Sequence, residues 1–326
     1  CPMRVPEAVT GSWSGIRSEV ASVFSELYRL MGMMVLLMGA GFLMRKTGII
    51  TLEGKKCLTD IILYAILPCN IIKAFSREME AGFWSTFFMV LLMAVLAQVV
   101  SFLLSRLLYR RFDAGEKCVY QYATVCSNSG FMGNPLAEGV FGETGLLYAS
   151  IFLIPQRIVM WTAGVSSFQK TESGKTAYRK ILTHPCMVAT YIGMVIMVFQ
   201  IPLPGVLQDT ILSFSNCCTA MTMVYIGTIL TDVNFRELFG GHQIFFAAVR
   251  LVLIPLLVFG ICRLARVDAL ITGVSTLLSA TPAGSTTSLL AAKYGADEKA
   301  AARCVVFTTA LSAVTIPVWS MFLLRP

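Results

Sequence analysis

An uncharged run that begins at Cys118 leads into Ser127-Asn-Ser-Gly-Phe-Met-Gly-Asn-Pro-Leu-Ala-Glu-Gly-Val-Phe-Gly142. The run is apolar enough to lie in hydrocarbon, yet it carries glycines, a proline, two asparagines and Glu138. Proline removes a backbone donor and clashes with the preceding turn, and glycine adds freedom that a helix must suppress, so a helix is expected to break here. An open backbone survives at membrane depth only where protein covers it or where it lines a water-filled cavity. A second stretch of this kind, Ser279-Ala-Thr-Pro-Ala-Gly-Ser-Thr-Thr-Ser-Leu-Leu-Ala-Ala-Lys-Tyr-Gly295, stands in the other half of the chain. One interrupted span can be a plain kink. Two, placed alike in the two halves, are the sequence mark of a solute site built from discontinuous helices.

Only 13% of the 326 residues are charged and 56% are hydrophobic. Soluble domains carry about 25% charged residues, so this is an all-α polytopic membrane protein with the lipid bilayer as its partner. The net charge of +8 does not signal nucleic acid, because the basic residues form short clusters between apolar spans and no basic stripe is interleaved with aromatics. The ten cysteines include no CxxC pair, and His184 and His242 lie at span edges. They read as buried apolar thiols, with no disulfide framework, no metal site and no cofactor expected.

Spans of about 20 residues are expected near 23–44, 58–75, 81–105, 117–140, 144–168, 184–203, 209–231, 240–262, 268–292 and 299–323, the fourth and ninth broken. This divides the chain into an N-terminal extension (1–22), a first five-helix repeat (23–169), a basic linker (170–183) and a second five-helix repeat (184–326). Counted with the span ends that border them, the loops after the odd-numbered spans hold 16 of the 26 lysines and arginines, against 8 for the termini and the remaining loops, with Arg157 and Arg250 inside spans. That bias puts the odd loops and the linker in the cytoplasm and both termini outside the cell membrane. Five spans per half then make the second half inverted relative to the first. Setting Gly142 beside Gly295 aligns Phe-Gly-Glu-Thr with Tyr-Gly-Ala-Asp, each a loop entering the next span.

The order of several short motifs carries a resemblance. They are Gly41-Phe-Leu-Met-Arg-Lys-Thr-Gly-Ile-Ile50, Leu63-Tyr-Ala-Ile-Leu-Pro68, Asn128-Ser-Gly-Phe-Met-Gly-Asn-Pro-Leu136, Ile201-Pro-Leu-Pro204, Arg250-Leu-Val-Leu-Ile-Pro255, Thr281-Pro-Ala-Gly284 and Ala291-Ala-Lys-Tyr-Gly295. In this order the chain from about Val23 resembles the auxin efflux carrier family, in its bacterial malate-permease-like branch. The resemblance implies ten transmembrane helices as two inverted five-helix repeats, with helices 4 and 9 crossing near the midplane. Bile-acid symporters and sodium/proton antiporters have a similar architecture. It also implies transport of small organic anions, a crossover bundle moving against a scaffold, and a homodimer. The extension at 1–22 has no match, and the family's long central loop is here reduced to the stretch around Lys170–Lys180.

Helix N-termini offer unpaired N–H groups and about half a positive charge, so two facing broken helices suit a carboxylate. Side chains expected to add donors are Asn128, Ser129 and Asn134 in the first half, and Thr281, Ser285, Thr286 and Thr287 in the second. Gly130, Gly133, Pro135, Pro282 and Gly284 shape the crossing backbone. The resemblance places a substrate-contacting asparagine at Asn128 and puts Gln156 near the pocket. Arg157 is an intramembrane charge, suited to an anionic solute or to pairing with Glu138 or Glu143. The resemblance implies a structural role for Arg250, Asn70 beside Pro68 is a further cavity candidate, and Glu138, the one carboxylate close to a crossing, is the candidate for coupling transport to protons.

The expected function is therefore a secondary transporter, not an enzyme. No His-Glu-x-x-His and no paired membrane aspartates occur, so no catalytic residues are assigned. The alternatives are a sodium-coupled symporter of bile-acid type or an ion exchanger. A receptor that binds without transport is more remote, because it would not need two matched broken helices.

Overall fold

The computed structural model describes residues 32–76, 83–160, 185–231 and 240–323, with the single positions 29, 168 and 183. The N-terminal extension and nearly all of the linker lie outside the described residues. Within them the chain is helical, and its one β feature is an isolated bridge between Ser127 and Ala283. Four helical stretches are long and apolar enough to cross a membrane: Trp84–Leu108, Asn134–Val159, Gly241–Leu264 and Lys299–Leu323. A 26-residue helix such as Phe83–Leu108 reaches about 39 Å, more than the roughly 30 Å of a bilayer core.

In chain order the helices are α1 (32–46) and α2 (Leu52–Ile61), which passes through a π turn at Ile62–Ile66 into α3 (Leu67–Phe75). Next come α4 (Phe83–Leu108), α5 (Ala114–Val125), a π turn at Ser129–Gly133, α6 (Asn134–Val159) and α7 (Pro185–Phe199). The chain continues with α8 (Gly205–Asn216), α9 (Cys218–Leu230) and α10 (Gly241–Ala248), then a π turn at Val249–Leu253 leading into α11 (Ile254–Leu264). Last are α12 (Ala269–Ser279), α13 (Thr286–Tyr294) and α14 (Glu298–Leu323). The helix expected from residue 58 begins earlier, because Thr51 accepts from Gly54 N at 3.0 Å and caps a charged first turn that hydropathy alone does not detect.

The three π turns share one cause. Each runs straight into a helix whose second residue is proline: Leu67-Pro68, Asn134-Pro135 and Ile254-Pro255. In each, the residue before the proline bonds five positions back, Leu67 to Ile62 O, Asn134 to Ser129 O and Ile254 to Val249 O. Proline has no N–H to give and crowds the carbonyl four residues earlier, so one widened turn keeps the helix going at little cost. α6 contains a further bend at Gly142, whose φ of 67° and ψ of −160° suit glycine alone. Gly295, its counterpart in the sequence alignment of the halves, ends α13 with φ also at 67°.

Packing sorts these helices into two groups. α3 lies against α7 and α8, with α9 against α2. α4, α6, α11 and α12 pack on one another, and α5 and α13 both pack on α14. The largest apolar cluster joins α4, α6, α11 and α12 and reaches Ile71 and Phe75 of α3 and Met197 of α7. α1 and α9 meet backbone to backbone, because Gly41 faces the Val224 carbonyl and Gly227 faces that of Met38.

Candidate functional site

The two breaks meet. α5 stops at Val125 and the chain turns extended at Cys126; α12 stops at Ser279 and resumes as α13 at Thr286. The open segments pair as a two-bond antiparallel bridge: Asn128 N donates to Pro282 O at 2.8 Å and Gly284 N to Cys126 O at 3.0 Å. Backbone groups released by one interruption are thereby satisfied by the other, which hydrocarbon requires. A Cβ at Gly284 would stand 3.0 Å from Cys126 O and 3.1 Å from Ser127 O, so only glycine fits this approach without displacement. Ala283 N is held by Thr308 Oγ1 of α14 at 3.1 Å.

Side chains fix the crossing further. Gln156 spends both ends of its amide on Ser127, donating to its carbonyl at 2.8 Å and accepting from its Oγ at 3.0 Å. Ser127 and Ser129 hydroxyls are in hydrogen-bond contact. Ser129 Oγ lies 2.8 Å from Leu278 O and 2.7 Å from Thr281 Oγ1. Tyr122 donates to Thr286 Oγ1 at 3.2 Å.

Beside this knot lies a cavity of about 50 Å³. Such a volume holds several waters or a small solute. Its polar wall is Ser127, Asn128, Gly130, Gln156, Arg157, Gly284, Ser285 and Thr286. The rest of the lining is Leu63, Leu67 and Ile71 from the α2–α3 helix, Cys186 from α7, and Leu153 and Met160. Among the described residues, no carboxylate lines it.

Two of the polar groups are uncommitted. Asn128 is 1% exposed, and neither its Nδ2 nor its Oδ1 has a partner among the described residues. Arg157 is 8% exposed, and its Nη1 is likewise buried without a partner. A buried amide or guanidinium normally has its bonds made, so these are the groups a solute would satisfy.

Of the residues singled out in the sequence, Asn128, Gln156, Arg157, Ser285, Thr286, Gly130 and Gly284 line the cavity. Ser129 and Thr281 lie behind it in the hydrogen-bonded knot. Gly133 packs a few ångströms from Ser129, Leu278 and Thr281, and Pro135 starts α6. Asn134 and Thr287 are buried beside the crossing, each with a side-chain oxygen lacking a described partner. Asn70 points elsewhere: its amide donates to Ser215 Oγ of α8 at 3.1 Å. Glu138 is half-buried in α6 and outside the lining, and neither Glu138 nor Glu143 pairs with Arg157 among the described residues. Sequence reasoning missed Ser127 as a lining residue and the apolar wall, although Leu63, Leu67 and Ile71 recur at four-residue spacing.

Known proteins match most of the chain. The family model described as "Membrane transport protein" matches residues 28–320. An uncharacterized transporter of Methanothermobacter thermautotrophicus is 24% identical over 291 residues, covering 87% of this chain and 94% of that protein. Another, from Methanocaldococcus jannaschii, is 22% identical over 302 residues, 89% of this chain and 97% of its own length. A Rhizobium meliloti protein provisionally named a malonate transporter is 22% identical over 276 residues, 81% of this chain and 85% of that one.

Proposed function

This chain belongs to the membrane transport protein family, that of the auxin efflux carriers, and on that premise we propose that it is a secondary carrier for a small organic anion. One observation carries the reading: a buried amide, Asn128, and a buried guanidinium, Arg157, both uncommitted among the described residues, share a cavity whose described lining holds no carboxylate. Carboxylate oxygens accept from both, and charge-assisted bonds of that kind are the strong ones. The N-terminus of α13, with Ser285 and Thr286 on the cavity, adds the positive end of a helix dipole. The malonate assignment of the Rhizobium relative favours short dicarboxylates as first probes.

In this reading the ten spans form two inverted five-helix repeats, with the linker inside the cell and both termini outside. The bundle of α4–α6 and α10–α14 carries the crossover and the polar wall. The group of α1–α3 and α7–α9 supplies most of the apolar wall, and alternating access is a displacement of one group against the other. A polar site crossing beside an apolar face breaks no hydrogen bonds to it. Two copies of the chain associate through the second group. Glu138, away from the cavity, is the residue to test for proton coupling.

Proteoliposomes holding the purified protein should take up labelled malonate or another short carboxylate, and the same acid should raise the melting temperature of the detergent-solubilised protein. Stabilisation by sodium or pH alone, with no acid effective, would replace this reading with ion exchange. Binding without flux would replace it with a receptor.

A further inference from the structure

Each break exposes a helix carbonyl end, which is negative and unfriendly to an anion a few residues away. The two ends are treated differently. At the end of α12, the Leu278 carbonyl is met by two hydroxyls, Ser129 Oγ at 2.8 Å and Thr281 Oγ1 at 2.7 Å. At the end of α5, the Thr124 carbonyl is met by a charge, Arg250 Nη1 at 3.5 Å, from the π turn that precedes Pro255. Arg250 is 2% exposed and does not line the cavity, and its Nε has no partner among the described residues. No carboxylate of the described residues lies within ion-pair distance of it. Among the described residues, the polar groups beside it are the Cys126 thiol and Thr124 and Tyr109, the last two bonded to each other at 3.0 Å. A buried guanidinium with no counter-ion is costly in a membrane, and a leucine would pack there without that cost.

We infer that Arg250 sets the sign of the crossover: its charge offsets the carbonyl end of α5, so that Asn128, Arg157 and the N-terminus of α13 present a net positive field to the solute. Arg250 is thus a positioning residue acting through α5. The inference rests on the anion-carrier reading and deepens it.

The test is malonate titration of the purified full chain and of Arg250→Lys and Arg250→Gln, with ligand-free melting measured for each. Arg250→Lys should bind within about threefold of the parent, and Arg250→Gln about tenfold more weakly, with its ligand-free transition still cooperative. A purely structural arginine would lower the melting temperature and leave the affinity of the folded protein unchanged, which overturns the inference. Equal weakness of Lys and Gln variants also overturns it, since charge would then not be the cause. Where Arg250→Gln yields no folded protein, Arg250→Lys decides: retained affinity supports the inference, and a loss beyond tenfold with intact folding ends it. The titrant is malonate or, where malonate does not bind, whichever short carboxylate stabilises the parent; if none does, the anion reading fails first and takes this inference with it. Malonate binding that ignores Arg250 fails the inference alone.

Discussion

The cavity has two unlike walls. One is a knot of backbone and side-chain hydrogen bonds in which Asn128 and Arg157 are left with free capacity. The other is Leu63, Leu67, Ile71 and Cys186, which offers the solute little besides contact. Specificity built on hydrogen bonds is steep, because a mismatch strands buried polar groups, whereas one methylene more or less against an apolar face changes little. The polar wall should therefore decide which solutes bind, and the apolar wall how large they are.

Asn128→Ala is the severest test of that division. Losing charge-assisted hydrogen bonds of about 1.5–3 kcal/mol should weaken binding by roughly ten- to a hundredfold. The backbone bond of Asn128 N to Pro282 O does not involve the side chain, so the fold should survive. Titration of the transported acid checks it, and unchanged affinity removes Asn128 from the site. Arg157→Gln comes next, with about tenfold weaker dicarboxylate binding and a smaller loss for monocarboxylates. Its ligand-free melting temperature should hold or rise, because an unpaired buried charge has gone. A similar loss for both acid classes would make Arg157 structural.

The polar wall was the legible one. Asn128, Gln156 and Arg157 stand out as polar groups in uncharged spans, and the prolines and glycines around them announce the breaks. Leu63 and Leu67 do not stand out, since a leucine facing a cavity, a neighbouring helix or lipid is the same letter. The π turn at Ile62–Ile66 also inserts an extra residue, so helical periodicity counted through it loses register by about 100°. Polarity misdirects as well: Asn70 satisfies the criteria that select Asn128, and only the fold turns its amide toward Ser215. Nor does the sequence reveal that the two interruptions pair, because Asn128 and Pro282 are joined by backbone groups common to nearly every residue.

On the apolar wall, Leu67→Ala should widen the cavity. Short acids should lose affinity only a fewfold, while longer or branched acids gain relative to them, as competition against labelled malonate would register. Leu67 is half-buried, so its loss should cost less than the roughly 2–5 kcal/mol of a fully buried leucine. A size profile identical to the parent's would mean that Leu67 is not a wall.

Asn70→Ala should have the smallest effect, and it sharpens the comparison most. Asn70 is three residues from Leu67 on the same helix, and its side-chain hydrogen bond to Ser215 ties α3 to α8. Removing it leaves the Ser215 hydroxyl, which is 4% exposed, without that donor, at a cost of about 1 kcal/mol in stability. Affinity for the acid should stay within twofold. The contrast with Asn128→Ala separates residues that are merely polar within a span from those whose polarity faces the solute. Should Asn70→Ala weaken binding as much as Asn128→Ala does, the wall assigned here as apolar is reading the solute too, and the division between selection by hydrogen bonds and selection by size fails.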